Sequence, residues 1–221
     1  MPTIDALEII TKAGKLLFDV TGVRWPKDEL LIWLNDSQRQ IVSFKGDAYV
    51  LNLTITATAG TKQTLPDNGI SLVDVERNNG AVDGSAPGTA ITKTDRYTLD
   101  TESPGWHSGA PVADAVHFTF DSRNPKCFNL FPAVLGTSFI DIVMLASPPA
   151  IADYVAGTKI TLDDVYANAM LDYTLYRAFS KDSKNQDLSK AGIYNSAFMA
   201  DLGLKEQAEK KTEPKALDSS R

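Results

Sequence analysis

Hydrophobic positions along the chain follow two periods, and the changeover points divide it into three parts. In the first 45 residues Ile4, Leu7, Ile10, Leu17 and Phe18 recur at helical spacing, with Thr3 as a candidate N-cap. Thr21 and Gly22 break that helix. Pro26 suits the first turn of a second one, and Asp28 and Glu29 suit its positive end. Leu30, Trp33, Leu34 and Ile41 then form an apolar stripe, while Asn35, Asp36, Gln38, Arg39 and Gln40 fill the other faces. Two such helices cannot bury their stripes alone, so the pattern predicts further helices to pack against.

From Tyr49 the period drops to two. Tyr49, Leu51, Leu53, Ile55 and Ala57 alternate with Asn52, Thr54, Thr56 and Thr58, which predicts a half-buried strand. Residues 62–65 read as a short returning partner, and Ser71 to Arg77 as another alternating strand with Val73 and Val75 on one face. Residues 78–89 and 101–114 are rich in Gly, Asn, Asp, Ser and Pro and read as exposed loops. Further strands are predicted over Ala115 to Phe120, Cys127 to Phe131 and Ser138 to Leu145, the last ended by Ser147-Pro148-Pro149.

Helical spacing returns at Leu162. Val165, Tyr166, Ala169, Tyr173 and Tyr176 line one broad face to about Lys181, and Ala191, Tyr194, Phe198 and Leu202 mark a fourth helix. The predicted fold is therefore α+β. Residues 1–48 and 161–205 supply the two halves of a four-helix bundle, 49–160 form an inserted antiparallel β domain, and 206–221 form an extended polar C-terminal tail. The expected bundle core contains Leu30, Trp33, Leu34, Val165, Tyr166, Ala169, Tyr173 and Phe198.

Charge changes the picture by exclusion. The net charge is −6, with 22 basic and 28 acidic residues. Residues 1–45 balance at six of each sign, whereas residues 46–160 hold seven basic against twelve acidic groups. No segment concentrates the basic charge that gripping DNA phosphates needs. The longest nearly apolar stretch, Phe139 to Ala152, is interrupted by Asp141 and two prolines and is too short to span a bilayer. No basic-then-apolar signal segment opens the chain, and the one cysteine, Cys127, permits no internal disulfide, so cytoplasmic synthesis is expected.

Candidate chemistry is thin. His107, Asp114 and His117 can be written as a metal triad, but they come from a loop and a strand without the close pairing that zinc sites show, so no metal and no cofactor is expected. Cys127 lacks a neighbouring base. Asp163 and Asp164 are adjacent, hence about 100° apart on a helix, and Thr161 with Asp164 has the spacing of a capping box. The glycines from Gly80 to Gly88 precede no Lys-Ser/Thr and open no helix, so they are no phosphate cradle. No catalytic residue is assigned.

Four stretches carry a resemblance: WPKDELLIWLNDSQRQIV (25–42), HFTFDSRNPKCFNLFPAV (117–134), FIDIVMLASPPAI (139–151) and ITLDDVYANAMLDYTLYRAFSKDSKNQD (160–187). Together they resemble the head-to-tail adaptor, or connector, proteins of tailed bacteriophages. The resemblance implies a structural virion protein at the head–tail junction, made in the host cytoplasm. It implies a ring of twelve copies beneath the portal protein ring, a platform for the tail or nozzle protein, and DNA only as passing cargo. It also implies a portal-binding C-terminal segment, here with Lys210, Lys211, Pro214, Lys215, Leu217 and Arg221 as candidate contacts. Two other classes stay open on the residues themselves. One is a ligand- or carbohydrate-binding module using the Trp106/His107 loop, and the other is an enzyme with dispersed residues. Ring formation on a portal distinguishes the first class, ligand-dependent stabilisation the second, and loss of turnover on a single substitution the third.

Overall fold

The computed structural model describes residues 2–181 and 187–212, with side chains of the last helix described as far as Gly203. The chain forms two compact units. Met1–Ala48 and Pro148–Arg221 make a helical unit, and Tyr49–Ser147 make a β unit.

In the helical unit α1 spans Ala6–Leu16, α2 Lys27–Phe44, α4 Ala167–Ser180 and α5 Leu188–Thr212. Helix α4 packs against α1, α2 and α5, and α1 packs against α2. Leu30, Trp33, Leu34, Tyr166, Ala169, Tyr173 and Phe198 are buried there. Tyr173 on α4 meets Phe198 on α5 edge-on at 5.3 Å, and Phe44 at the end of α2 reaches the same Phe198 at 6.3 Å. Trp25 fixes the start of α2 to the end of α4 by donating its indole N–H to the Ala178 carbonyl at 3.3 Å. Val165 departs from the expected core and is 58% exposed. It lies in a 3-10 turn, Asp164–Tyr166, whose tighter winding shifts the phase of the stripe before α4 begins.

Side chains read as solvent-facing on α2 instead hold the chain together. Asn35 and Gln38 are buried. The Asn35 amide donates to the Ile151 carbonyl at 3.0 Å and accepts from the Ile151 N–H at 2.8 Å. The Gln38 carbonyl oxygen accepts from the N–H groups of Thr161 and Leu162, and its NH2 donates to Asn35. The segment returning from the β unit forms no regular ladder of its own, so these amides serve as its backbone partners. The N-terminus is tied to the same segment. Ala6 N–H donates to Thr158 O, Ile160 N–H to Ile4 O, and the Lys159 ammonium to Asp5 at 2.6 Å. Thr3 is therefore no helix cap. The N-cap of α1 is Asp5, and Thr3 donates its N–H and hydroxyl to the Asp164 carboxylate. Asp164 forms no capping box with Thr161 either, because Asp163 caps the turn through the Val165 N–H.

The β unit is a sandwich of two four-stranded sheets. One has the order β1-β8-β3-β4, with β1 Val50–Thr56, β8 Phe139–Ala146, β3 Gly69–Asn79 and β4 Pro87–Ala90. The other has the order β2-β7-β6-β5, with β2 Gly60–Thr64, β7 Cys127–Val134, β6 His117–Phe120 and β5 Thr92–Lys93. All pairings are antiparallel except β5 with β6, which is parallel, so the second sheet is mixed rather than antiparallel as expected. A short helix α3, Arg96–Glu102, interrupts the loop-rich middle, capped by Asp95. Leu72, Val75, Phe118, Phe128, Leu130, Ile140, Ile142 and Met144 form the core between the sheets.

Strand β3 does not alternate simply. Three register shifts against β8 bring Leu72 and Val75 into the core and turn Val73 outward, so Val73 and Val75 do not share a face. Beside it the buried Asp141 on β8 accepts from the Thr54 hydroxyl at 2.7 Å, Arg77 Nε at 2.7 Å and the Asn79 amide. The turn at residues 80–86 closes over this network. Gly84, at φ +77°, lies where a Cβ would sit 2.9 Å from Thr54 Oγ1.

Two stability outcomes follow from the helical unit. Gln38→Ala leaves two backbone N–H groups without an acceptor and lowers unfolding free energy by about 2–3 kcal/mol in urea titrations. Tyr173→Ala empties the α4–α5 aromatic contact and costs about 3–5 kcal/mol by the same measurement.

Candidate functional site

The loop that the alternative ligand-binding reading would use holds itself. Trp106 is 3% exposed, and its indole N–H donates to Asp100 Oδ1 at 2.9 Å. One face of the ring is stacked on His107 at 3.6 Å, and Phe131 meets it edge-on at 6.2 Å. The residue plugs the space beside β7, and no open indole face remains to stack on a sugar. His107 Nδ1 pairs with the Thr61 hydroxyl and His117 Nδ1 with the Thr92 hydroxyl, so the two rings are engaged on different strands. Among the described residues no cluster of three His, Cys, Asp or Glu side chains is placed to hold a metal.

A polar groove of about 630 Å³ in the β unit is lined by Lys93, Arg96, Asp95, Asp121 and Arg123. Arg123 grips Asp121 through both Nε and Nη2, which with the Arg123 backbone N–H pushes the Asp121 carboxyl down to about 2. Arg96 faces Asp100 at 3.4 Å. Charge in this groove is largely consumed internally, which suits neither a catalytic base nor an anion cradle.

The helical unit presents a different kind of surface. After α1 the chain turns sharply at Leu17–Trp25, and Phe18 adopts φ +54°, a left-handed conformation costing about 1 kcal/mol for a non-glycine residue. Asp19 determines the turn. Its carboxylate accepts the N–H groups of Val23, Arg24 and Trp25, and its backbone N–H reaches Gly14 O. The Trp25 N–H is the largest influence holding the Asp19 carboxyl below its ordinary range. The outcome is a fixed turn whose apolar side chains point into water: Phe18 is 97% exposed, Val23 85% and Val20 65%. A groove of about 660 Å³ runs beside it, lined by Lys15, Phe18, Arg24, Trp25, Phe179 and Tyr194. The helical stripe had counted Phe18 with Leu17 as core. Phe18 lies beyond the end of α1 at Leu16, however, and its left-handed φ takes it off the helical stripe, a departure that spacing alone does not show.

Between α4 and α5 lies a pair of like charges. Burial pushes the Asp172 carboxyl up to about 6, with the charge of Asp201 adding to the shift. Among the described residues no cation forms an ion pair with either. Helix α5 itself runs to Thr212, so residues 206–212 are helical rather than part of an extended tail. Ala, Glu, Gln and Lys dominate that stretch, and their helix propensity is high even where no apolar stripe exists. Lys210 and Lys211 fall within α5 beyond its described side chains, and Pro214, Lys215, Leu217 and Arg221 lie outside the described residues.

A discontinuous helical unit, a β sandwich whose polar groups are turned on one another, and fixed apolar surface define a protein of assembly. The family model of the SU10 adaptor protein matches residues 4–217, nearly the whole chain. The chain belongs to that family, and it is a structural phage protein and virion component that works with portal and tail proteins. Among curated proteins, none matches it. No helix among the described residues is long and apolar enough to cross a membrane.

The acidic pair gives a pH dependence. The folded state holds the Asp172 proton more tightly than the unfolded chain, whose carboxyl titrates near 3.8. Stability therefore falls as pH rises from about 4 to about 6, and the loss is complete above that. Asp172→Asn raises the denaturation midpoint at pH 7 and matches the wild type at pH 4. Parallel midpoints at both pH values would show that the carboxyl is not strained.

Proposed function

We propose that twelve copies of this chain form a ring beneath the portal, join the DNA-filled head to the tail or nozzle protein, and line the exit channel for DNA. In this reading α1, α2, α4 and α5 act as a four-helix bundle that packs beside its neighbours around the channel, and the C-terminal segment grips the portal. The observation that carries it is the reach of the family match, which runs from residue 4 through both halves of the helical unit to residue 217 in the charged terminal segment. The charge distribution supports it. A channel for sliding DNA is served by weak phosphate affinity, and the chain is net acidic with its first 45 residues balanced.

Within the tail, Leu217 supplies an apolar anchor, and Lys210, Lys211, Lys215 and Arg221 supply charge for an acidic portal surface. The test is to mix the purified protein with the portal ring of the same virus and image the product by electron microscopy. A second ring stacked on the portal supports the reading, and persistent free portal at high micromolar concentration refutes it. Deleting 206–221 retains Phe198 and Leu202, so the truncated protein unfolds at the wild-type midpoint while its binding to portal drops by at least about tenfold. Portal binding at wild-type affinity would remove the tail from the contact.

A further inference from the structure

We propose that the α1–α2 turn of one copy docks on the outward face of the β1–β8–β3 sheet of a second copy. The proposal rests on the ring reading above and names the contact that closes the ring.

The turn is an apolar tip on a basic collar. Phe18, Val20 and Val23 are exposed and held in one conformation by the Asp19 carboxylate. Residues 15–27 contain Lys15, Arg24 and Lys27 against Asp19, whose carboxylate is turned onto backbone N–H groups, while Lys12 before them is paired with Glu8 at 2.7 Å and Glu29 after them with Lys181. On a chain of net charge −6 this is a local concentration of the opposite sign. The Phe18 side chain left in water buries little within its own chain, whereas a fixed tip loses little freedom on binding.

The sheet face has the complementary chemistry. Val143 and Leu145 alternate along β8 with the core-facing Ile142 and Met144, so they look outward. Val50 stands across from Leu145 and is exposed, and the bulges in β3 turn Ile70 and Val73 out. Residues 65–76 carry Asp67, Asp74 and Glu76 and no basic residue. The turn at 80–86 covers the Asp141 end of this face, leaving the Val50–Val73 end open. Basic collar meets acidic rim, and apolar tip meets apolar patch. Because tip and patch are different surfaces of one chain, their union is heterologous, the kind of contact that repeats into a closed ring.

The full-length protein and the portal ring of the same virus test this by mass photometry and electron microscopy. Phe18→Asp changes a side chain with no buried contact, so the unfolding midpoint holds, while ring completion needs about tenfold more protein. Lys15→Glu and Asp74→Lys each weaken assembly, and the two together restore it to within about twofold of wild type, the signature of a direct charge pairing. Ring completion by Phe18→Asp at the wild-type concentration overturns this contact and leaves the adaptor reading standing. Single charge reversals whose effects simply add also overturn it. Binding of the wild type to phosphatidylserine vesicles that Phe18→Asp abolishes, with ring assembly intact, assigns the tip to lipid instead. A wild type that never stacks on the portal strikes the adaptor reading itself and takes this contact with it.

Discussion

Everything in the helical unit depends on two amides. The unit is built from both ends of the chain, with 99 residues of β unit between them, so its halves are not held by short loops. The segment that returns from Pro148 to Leu162 arrives without a helix or strand to satisfy its backbone. Asn35 meets both polar groups of Ile151, and Gln38 takes the N–H groups of Thr161 and Leu162. An amide side chain suits this position because it donates and accepts at once, as a neighbouring strand would. Once the segment is fixed on α2, its far edge becomes the partner of residues 4–6, and Asp164 closes on Thr3. The same segment leads into α4, which packs on α1 and α2 and meets α5 through the Tyr173–Phe198 contact.

The β unit solves a related problem with a charge. Its outward face carries a buried carboxylate, Asp141, which would be costly without partners. Burial alone would raise its pKa, yet hydrogen bonds from Thr54, Arg77 and Asn79 outweigh that and hold the carboxyl below its ordinary value. Those donors come from β1 and from β3, so one side chain of β8 ties the three strands in register. The bulges of β3 fit the same design. They let a strand deliver Leu72 and Val75 to the core while also sending Arg77 and Asn79 to the opposite face.

Much of this was legible in the residues, because burial follows period. The spacing of Leu30, Trp33 and Leu34, the alternation of Leu51, Leu53 and Ile55, and the aromatic face of Tyr166 and Tyr173 each placed an element of the right type. What escaped has a common cause, since periodicity records which side chains avoid water and is silent about polar groups that find partners inside. Asn35 and Gln38 looked like a solvated face, Asp164 like a cap, and Trp106 like an open platform. A bulge defeats alternation at Val73, and a 3-10 turn defeats helical phase at Val165. The adaptor class was read from combined stretches of sequence, and the family match bears out that class. The exposed tip was not read at all, because its meaning lies in the φ angle of Phe18.

Carboxylates in this molecule serve mainly to hold the chain to itself. A catalytic acid or base is kept available to a substrate, with its pKa moved toward the working pH by its surroundings. Here Asp5, Asp19, Asp141 and Asp164 are all held below their ordinary values by hydrogen bonds to the chain's own groups, and each fastens one segment to another. Their charges are spent on internal order. What faces outward at the α1–α2 turn is rigid shape and apolar area, properties by which a surface selects a partner. Asp172 is the exception in direction, but it sits against another carboxylate between two helices, where its proton bears on how α5 is held. In the ring proposed above a subunit would have to keep its surfaces fixed before its neighbours arrive, since every loosely held contact would cost ordering entropy at each interface. The turn at Asp19, ordered around one carboxylate and presenting Phe18 to water, meets that requirement in a single chain.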